Sequence, residues 1–211
     1  WIQERISSVY GVESGILLPT VDISVWAGEP PEQAGEYVVT IGGASWVKGT
    51  WETLEMLSGT GIALYLIGGC KPREMGLLRR RATELEVELD IQPRLSQEEL
   101  VALVKGARAV ISLAHAEPFG LTPIEAQAAG TPALMVAEGG FQYTVTDDVS
   151  GRLLPRGDWA AWHEALEQAA DRDTRTEWAE AGRENIADMG LTPEDQAETL
   201  AGIFSGLWSD E

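Results

Sequence analysis

One cysteine, three lysines and no long apolar run set the first limits on this chain. Cys70 has no partner for an internal disulfide. Two histidines, His115 and His163, with no cysteine cluster leave no ligand set for a structural zinc site. Both features suit reducing, intracellular surroundings and a cytoplasmic location. No stretch approaches the roughly 20 apolar residues of a membrane span, so no transmembrane segment is expected. Trp1 to Tyr10 is polar and amphipathic, unlike a signal peptide. The chain begins without an initiator methionine, which suits a piece of a longer protein. Positive charge is scarce: 15 bases face 34 acids, for a net charge of -19. Such a surface repels nucleic-acid backbones and acidic lipids, and no nucleic-acid partner is expected. The acids are spread along the chain and form no disordered tail. A solvated acidic surface of this kind suits salt-rich, halophile-like conditions, where counter-ions screen self-repulsion.

What is present reads as a packed α/β protein. The chain has 211 residues, 44% of them hydrophobic, enough for a substantial core. Short apolar runs stand at 37–41, 62–67, 107–113 and 132–137, with a weaker one at 87–91. They are continuous instead of alternating, as in strands covered on both faces of a parallel sheet. Helical patterns separate them. The segment "SQEELVALVKGA" opens with a capping box, Ser96 and Glu99. Residues 75–86 form another helix, and Leu121 to Gln127 a third, stopped by Gly130 and Pro132. Strand and helix in alternation predict a Rossmann-like, doubly wound parallel sheet. Three further helices follow, in "DWAAWHEALEQAA", "TRTEWAEAGRENIADMG" and "TPEDQAETLAGIFSGLW". Thr174 with Glu177 predicts one cap, and Thr192 with Asp195 another. Trp159, Trp162, Trp178, Phe204, Leu207 and Trp208 are the expected packing faces, and His163 is expected to be exposed. The domain reading is a helix and extended connection over 1–35, a Rossmann-like core over 36–155, and C-terminal helices packed on the core over 156–211.

Ligands of doubly wound sheets bind beyond the carboxyl ends of the strands. Here those ends carry Gly42-Gly43, Gly68-Gly69, the region of Pro93, His115 to Gly120, and Gly139-Gly140. Glycine lets backbone approach a ligand closely. Gly120 sits at a helix start, where its amide and those of Leu121 and Thr122 lack intrahelical acceptors and suit phosphate. Glu117 precedes that helix and Glu125 lies one turn inside it, with seven residues between them. Paired carboxylates grip sugar hydroxyls well, though each alone also reads as a solvated loop acid or a helix-start charge. Lys48, at another helix start, can supply charge for a phosphate or simply cap a turn. His115 is either site-lining or a satisfied structural histidine. No Walker loop, GxGxxG fingerprint or G-x-S-x-G elbow is present.

The stretches "YGVESGILLPTVD", "VVTIGGASWVKG", "LYLIGG", "LSQEELVALVKGARAVI", "EPFGLTPIEAQAAGTP" and "GGFQYTVTDDVSGRLLP" together resemble the C-terminal, nucleotide-sugar-binding half of retaining GT-B glycosyltransferases. These are the group 1 glycosyltransferases, a large family that includes glycogen and sucrose synthases and many mannosyltransferases. The likeness covers about residues 5 to 170, and the glutamate, seven residues, glutamate motif is its most specific part. It implies that Glu117 touches the donor sugar near the reaction centre. Phe119, Gly120 and Leu121 would place amides on sugar and diphosphate, and Glu125 would hold the ribose hydroxyls. Lys48 would stabilise the leaving diphosphate. Gly42, Gly43, Gly68, Pro93, Arg94, His115 and Thr122 would complete the substrate site, with the base near Ile91 to Arg94. The substrate would be a nucleotide-diphosphate sugar, without cofactor or metal, and the acceptor would sit on a missing N-terminal domain. The isolated domain is then expected to transfer nothing. Three departures stand out. Gly43 replaces the family's usual arginine, Tyr143 replaces a glutamate, and Pro19-Thr20 replaces Asn-Gly. The lost cation weakens leaving-group stabilisation unless Arg94 or Arg73 replaces it. A catalytically degenerate sugar-nucleotide-binding module and a GT-B-type epimerase are the alternative readings.

Overall fold

Apolar runs that do not alternate need cover on both faces, and the chain provides it. The computed structural model describes residues 2–209, with side chains as far as 205. Its strands are β1 (Tyr37–Ile41), β2 (Ala63–Ile67), β3 (Leu89–Gln92), β4 (Ala109–Ser112), β5 (Ala133–Val136) and β6 (Arg152–Leu154). They form one sheet in the order β3-β2-β1-β4-β5-β6, and every pairing is parallel. Val38, Val39, Leu64, Leu66, Ile111 and Leu134 are fully buried along its centre. The fold is therefore the expected Rossmann-like α/β sheet with C-terminal helices. The five apolar runs coincide with β1 to β5. β6 falls within "GGFQYTVTDDVSGRLLP", the last of the stretches that carry the family resemblance.

The helices are α1 (Ile2–Tyr10), α2 (Thr50–Leu57), α3 (Pro72–Glu84), α4 (Gln97–Gly106), α5 (Leu121–Ala129), α6 (Phe141–Thr144), α7 (Trp159–Gln168), α8 (Arg172–Asp188) and α9 (Pro193–Ser209). The α4 capping box forms: the Glu99 amide donates to Ser96 Oγ and the Ser96 amide to the Glu99 carboxylate. The pair Thr192 and Asp195 does the same for α9. α8 differs from expectation. It starts at Arg172 and is capped by Asp171, whose carboxylate accepts both the amide and the hydroxyl of Thr174 at 2.9 Å. A charged acceptor three residues upstream turns Thr174 from cap into donor. α3 likewise begins at Pro72, three residues before the predicted start, because proline suits the first helical position.

Trp162 and Trp178 are buried, and Trp159 packs half-buried against the core. Phe204 is half exposed, in an exposed run of α9 over residues 201–205. Leu207 and Trp208 lie outside the residues whose side chains are described. His163 is not exposed either. It sits where α7 meets α2, with Nε2 2.7 Å from the Met56 carbonyl. Cys70 is half-buried.

Two contacts fix α5. Gly182 of α8 lies so close that an added Cβ would come 2.9 Å from Gln127. The Gln127 amide donates to the Thr144 carbonyl at 2.6 Å and accepts from Asn185 at 2.9 Å. Both Gln127 and Thr144 are buried, so these bonds satisfy polar groups that would otherwise be costly.

Candidate functional site

Strands β1 and β4 are neighbours from which the chain winds away in opposite directions. That switch point leaves a crevice beyond their carboxyl ends. Two loops meet there. After β1 the chain turns through Gly42 (φ 136) and Gly43 (φ 77) and then makes a short helical turn, Trp46–Lys48. That turn ends at Gly49 (φ 69), where an added Cβ would lie 2.1 Å from the Leu113 carbonyl oxygen. The His115 amide donates to the Val47 carbonyl at 2.8 Å, closing the two loops on each other. Lys48 Nζ and Glu117 Oε2 then meet at 3.2 Å, 69 residues apart in sequence. These two predicted site residues are brought together by strand adjacency.

Glu117 sits on strained and crowded backbone. Ala116 takes the left-handed region at φ 51, which disfavours a side chain with Cβ. The Gly140 amide donates to the Glu117 carbonyl at 2.7 Å. A Cβ on Gly140 would fall 2.4 Å from Phe119 Cα, so the loop after β5 clamps the loop after β4. The Phe119 ring leaves the crevice and packs with Ile124, Ile186 and Leu191. Gly120 (φ 96) opens α5 with no side-chain cap. The amides of Gly120, Leu121 and Thr122 are the first-turn donors, aligned with the positive end of the helix dipole. Glu125 lies one turn on, half-buried. No hydrogen bond or ion pair reaches its carboxylate among the described residues, and burial pushes its pKa up.

Three charged residues missing from the sequence reading support these loops. Arg156, just after β6, places its guanidinium against Glu138 at 2.8 and 2.9 Å and against Glu52 at 3.0 Å. It also donates to the Leu113 carbonyl at 2.9 Å. Glu52 in turn holds His115 Nε2 at 2.9 Å, and Arg156 Nη1 lies 3.3 Å from the same nitrogen. His115 is thus hydrogen-bonded in place while still partly exposed, and Trp46 stacks on it with ring centroids 4.5 Å apart. The Glu138 carboxyl is held below its usual range by the Arg156 hydrogen bond. A base at a strand's carboxyl end, in a chain with so few bases, was the available signal for Arg156.

Other predicted residues fall further out. Pro93 and Arg94 are exposed after β3, two strands from β1. Gly68 (φ 124) links the two regions: its amide donates to the Gln92 carbonyl at 3.3 Å, and its own missing Cβ would lie 2.9 Å from the Gly43 amide nitrogen. Tyr143 on α6 is exposed. Among the described residues no group of three or more His, Cys, Asp or Glu side chains could hold a metal ion. No helix of the described residues is long and apolar enough to cross a membrane.

The arginine usual at position 43 has no place in this backbone. At φ 77 a Cβ would sit 2.7 Å from the Gly69 carbonyl oxygen. Gly43→Arg is therefore expected to lower the melting temperature by several degrees, about 1–2 kcal/mol of left-handed strain plus the clash. It is expected to give no gain in affinity for UDP. Calorimetric melting and titration check both.

Comparison with known proteins follows the same outline. The family description "Glycosyl transferases group 1" matches residues 29–185. A D-inositol 3-phosphate glycosyltransferase of Streptomyces coelicolor is 30% identical over 184 residues, covering 87% of this chain and 35% of that protein. The chain thus spans about a third of the length of such curated relatives. Among solved structures, sucrose-phosphate synthase of Thermosynechococcus elongatus superposes with a TM-score of 0.81 at 22% identity, over the whole chain and 57% of that protein. Anabaena HepE, solved in complex with UDP and glucose, gives 0.75 at 17% identity, over 91% of this chain and 57% of that one.

Proposed function

This chain belongs to the group 1 glycosyl transferases, and from that membership we propose that it is the donor-binding half of a retaining hexosyltransferase. The observation that carries the reading is the Lys48–Glu117 pair at the switch point, beside the open start of α5. A nucleotide-diphosphate sugar suits each part of that site. The first amides of α5 and the Lys48 ammonium suit the diphosphate. Glu125 offers an unpaired carboxylate to the two ribose hydroxyls, and Glu117, paired with Lys48, offers its carboxylate to the sugar. As the diphosphate departs, Lys48 neutralises the charge developing on it. The acceptor and the groups that hold it belong to the remaining two thirds of the relatives' length. On this reading the isolated domain binds donor and transfers nothing.

A specific feature favours a second reading. The turn at Gly43 is built so that no side chain fits there, which removes one cation from the diphosphate site. A sugar-nucleotide-binding module without turnover is consistent with that loss.

A melting panel of UDP-, GDP- and ADP-sugars tests the first claim. At one hundred times its dissociation constant the right donor adds about 2.7 kcal/mol, or roughly 5–10 °C for a chain of this size. No shift with any of them would remove the donor-site assignment. Turnover with an acceptor by the full-length protein separates enzyme from silent binder.

A further inference from the structure

We propose that the open face of Trp46 is a stacking platform for a sugar ring at the edge of the Lys48–Glu117 site, an assignment that rests on the donor-site reading above. Tryptophan gains much from burial, yet Trp46 is 66% exposed. It is nevertheless held in place. The Gly49 amide closes its turn onto the Trp46 carbonyl at 2.9 Å, and the next residue, Val47, receives the His115 amide. The indole lies flat on the His115 imidazole, 12° from parallel. The imidazole Nε2 is in turn held by Glu52 at 2.9 Å, with Arg156 Nη1 3.3 Å from it. One face of the indole is therefore backed by a fixed ring, which is itself fixed by an ionic network. The rest of the indole is largely exposed, two residues from Lys48.

A flat aromatic face accepts a cation, another aromatic ring, or the C–H face of a sugar. A cation finds the nearby acids already engaged: Glu117 is paired with Lys48, and Glu52 and Glu138 with Arg156. A nucleobase would stack there only if the nucleotide left the start of α5 and Glu125. A sugar ring suits both chemistries present: its C–H face suits the indole, and its hydroxyls suit groups such as the Glu117 carboxylate and the Lys48 ammonium, each two residues along its loop from one of the stacked pair Trp46 and His115. The ring has two sources, the hexosyl group of the donor or a ring of the acceptor.

The test uses this chain with UDP, UDP-glucose and methyl α-D-glucopyranoside, or GDP and GDP-mannose with methyl α-D-mannopyranoside if the guanine pair gives the larger melting shift. Wild type is compared with Trp46→Ala and Trp46→Phe by titration calorimetry and saturation-transfer NMR. Because the side chain is exposed, both variants are expected to melt close to wild type. If the ring is the donor's, the affinity advantage of nucleotide sugar over nucleoside diphosphate falls about tenfold in Trp46→Ala and is largely kept in Trp46→Phe. If it is the acceptor's, that advantage is unchanged. Saturation transfer to the methyl glycoside is then present in wild type, lost in Trp46→Ala and kept in Trp46→Phe. Equal weakening of UDP and UDP-glucose would place a base on the indole and overturn the proposal. So would three ligands indifferent to the substitution. Failure of wild type to bind any nucleotide would instead strike the donor-site reading itself.

Discussion

Glu125→Gln is expected to make the unliganded protein more stable at neutral pH and to weaken UDP binding by about a hundredfold or more. Both effects have one cause. The carboxylate is half-buried and unpaired, so burial raises its pKa in the folded state. A raised folded pKa means that the folded chain holds this proton more tightly than the unfolded chain. The contribution to stability is then fully present below the unfolded value, about 4.3, and is lost as pH rises through the folded one. At neutral pH the native protein carries an uncompensated charge, and the neutral amide relieves it. The gain in melting temperature is therefore expected at pH 7 and should vanish near pH 4. Ribose hydroxyls donating to the carboxylate would compensate the same charge, at about 1.5–3 kcal/mol for each hydrogen bond to an ionised group. Melting curves at pH 4 and 7, with UDP titrations at pH 7, check the pair of outcomes. A variant that is less stable at pH 7 and binds UDP normally would mean that Glu125 is only a helix residue.

Lys48→Met is expected to lower kcat of the full-length enzyme by about 10²–10³, the usual loss when one group aimed at developing charge is removed. The loss should be large here because few cations stand nearby. Gly43 provides none, and Arg94 is exposed beyond β3. Arg156 is engaged with Glu52 and Glu138. Methionine preserves the aliphatic stem, which packs over Gly42. Single-turnover rates at saturating donor check it. A kcat within twofold of wild type, with donor affinity intact, would show that another cation carries the leaving group.

How much of this could be read beforehand follows from the range of the forces involved. β1 to β5 were legible because central strands of a parallel sheet are apolar on both sides. β6 has three residues and α6 four, too short for any period to register. Thr174 misled because a hydroxyl at a cap position looks the same whether it accepts or donates. Asp171, three residues upstream, decides which. Lys48 and Glu117 were legible as a pair once β1 and β4 were placed side by side, since each lies in the loop leaving its strand. Arg156, Glu52 and Glu138 were not, because their meeting depends on three separate elements converging. The exposure of Trp46 leaves no mark in sequence at all: a tryptophan beside glycine and lysine reads as readily as core.

Arg156 also bears on how the chain can be divided. A cut between Pro155 and Arg156 looks natural in sequence, at the junction of sheet and trailing helices. Yet the guanidinium just beyond that cut grips the carbonyl at the end of β4, the acid after β5 and the first turn of α2. The trailing segment is therefore no detachable cover. Any recombination that exchanges these helices between relatives must carry the arginine with them, or supply Glu52 and Glu138 with a new counter-charge.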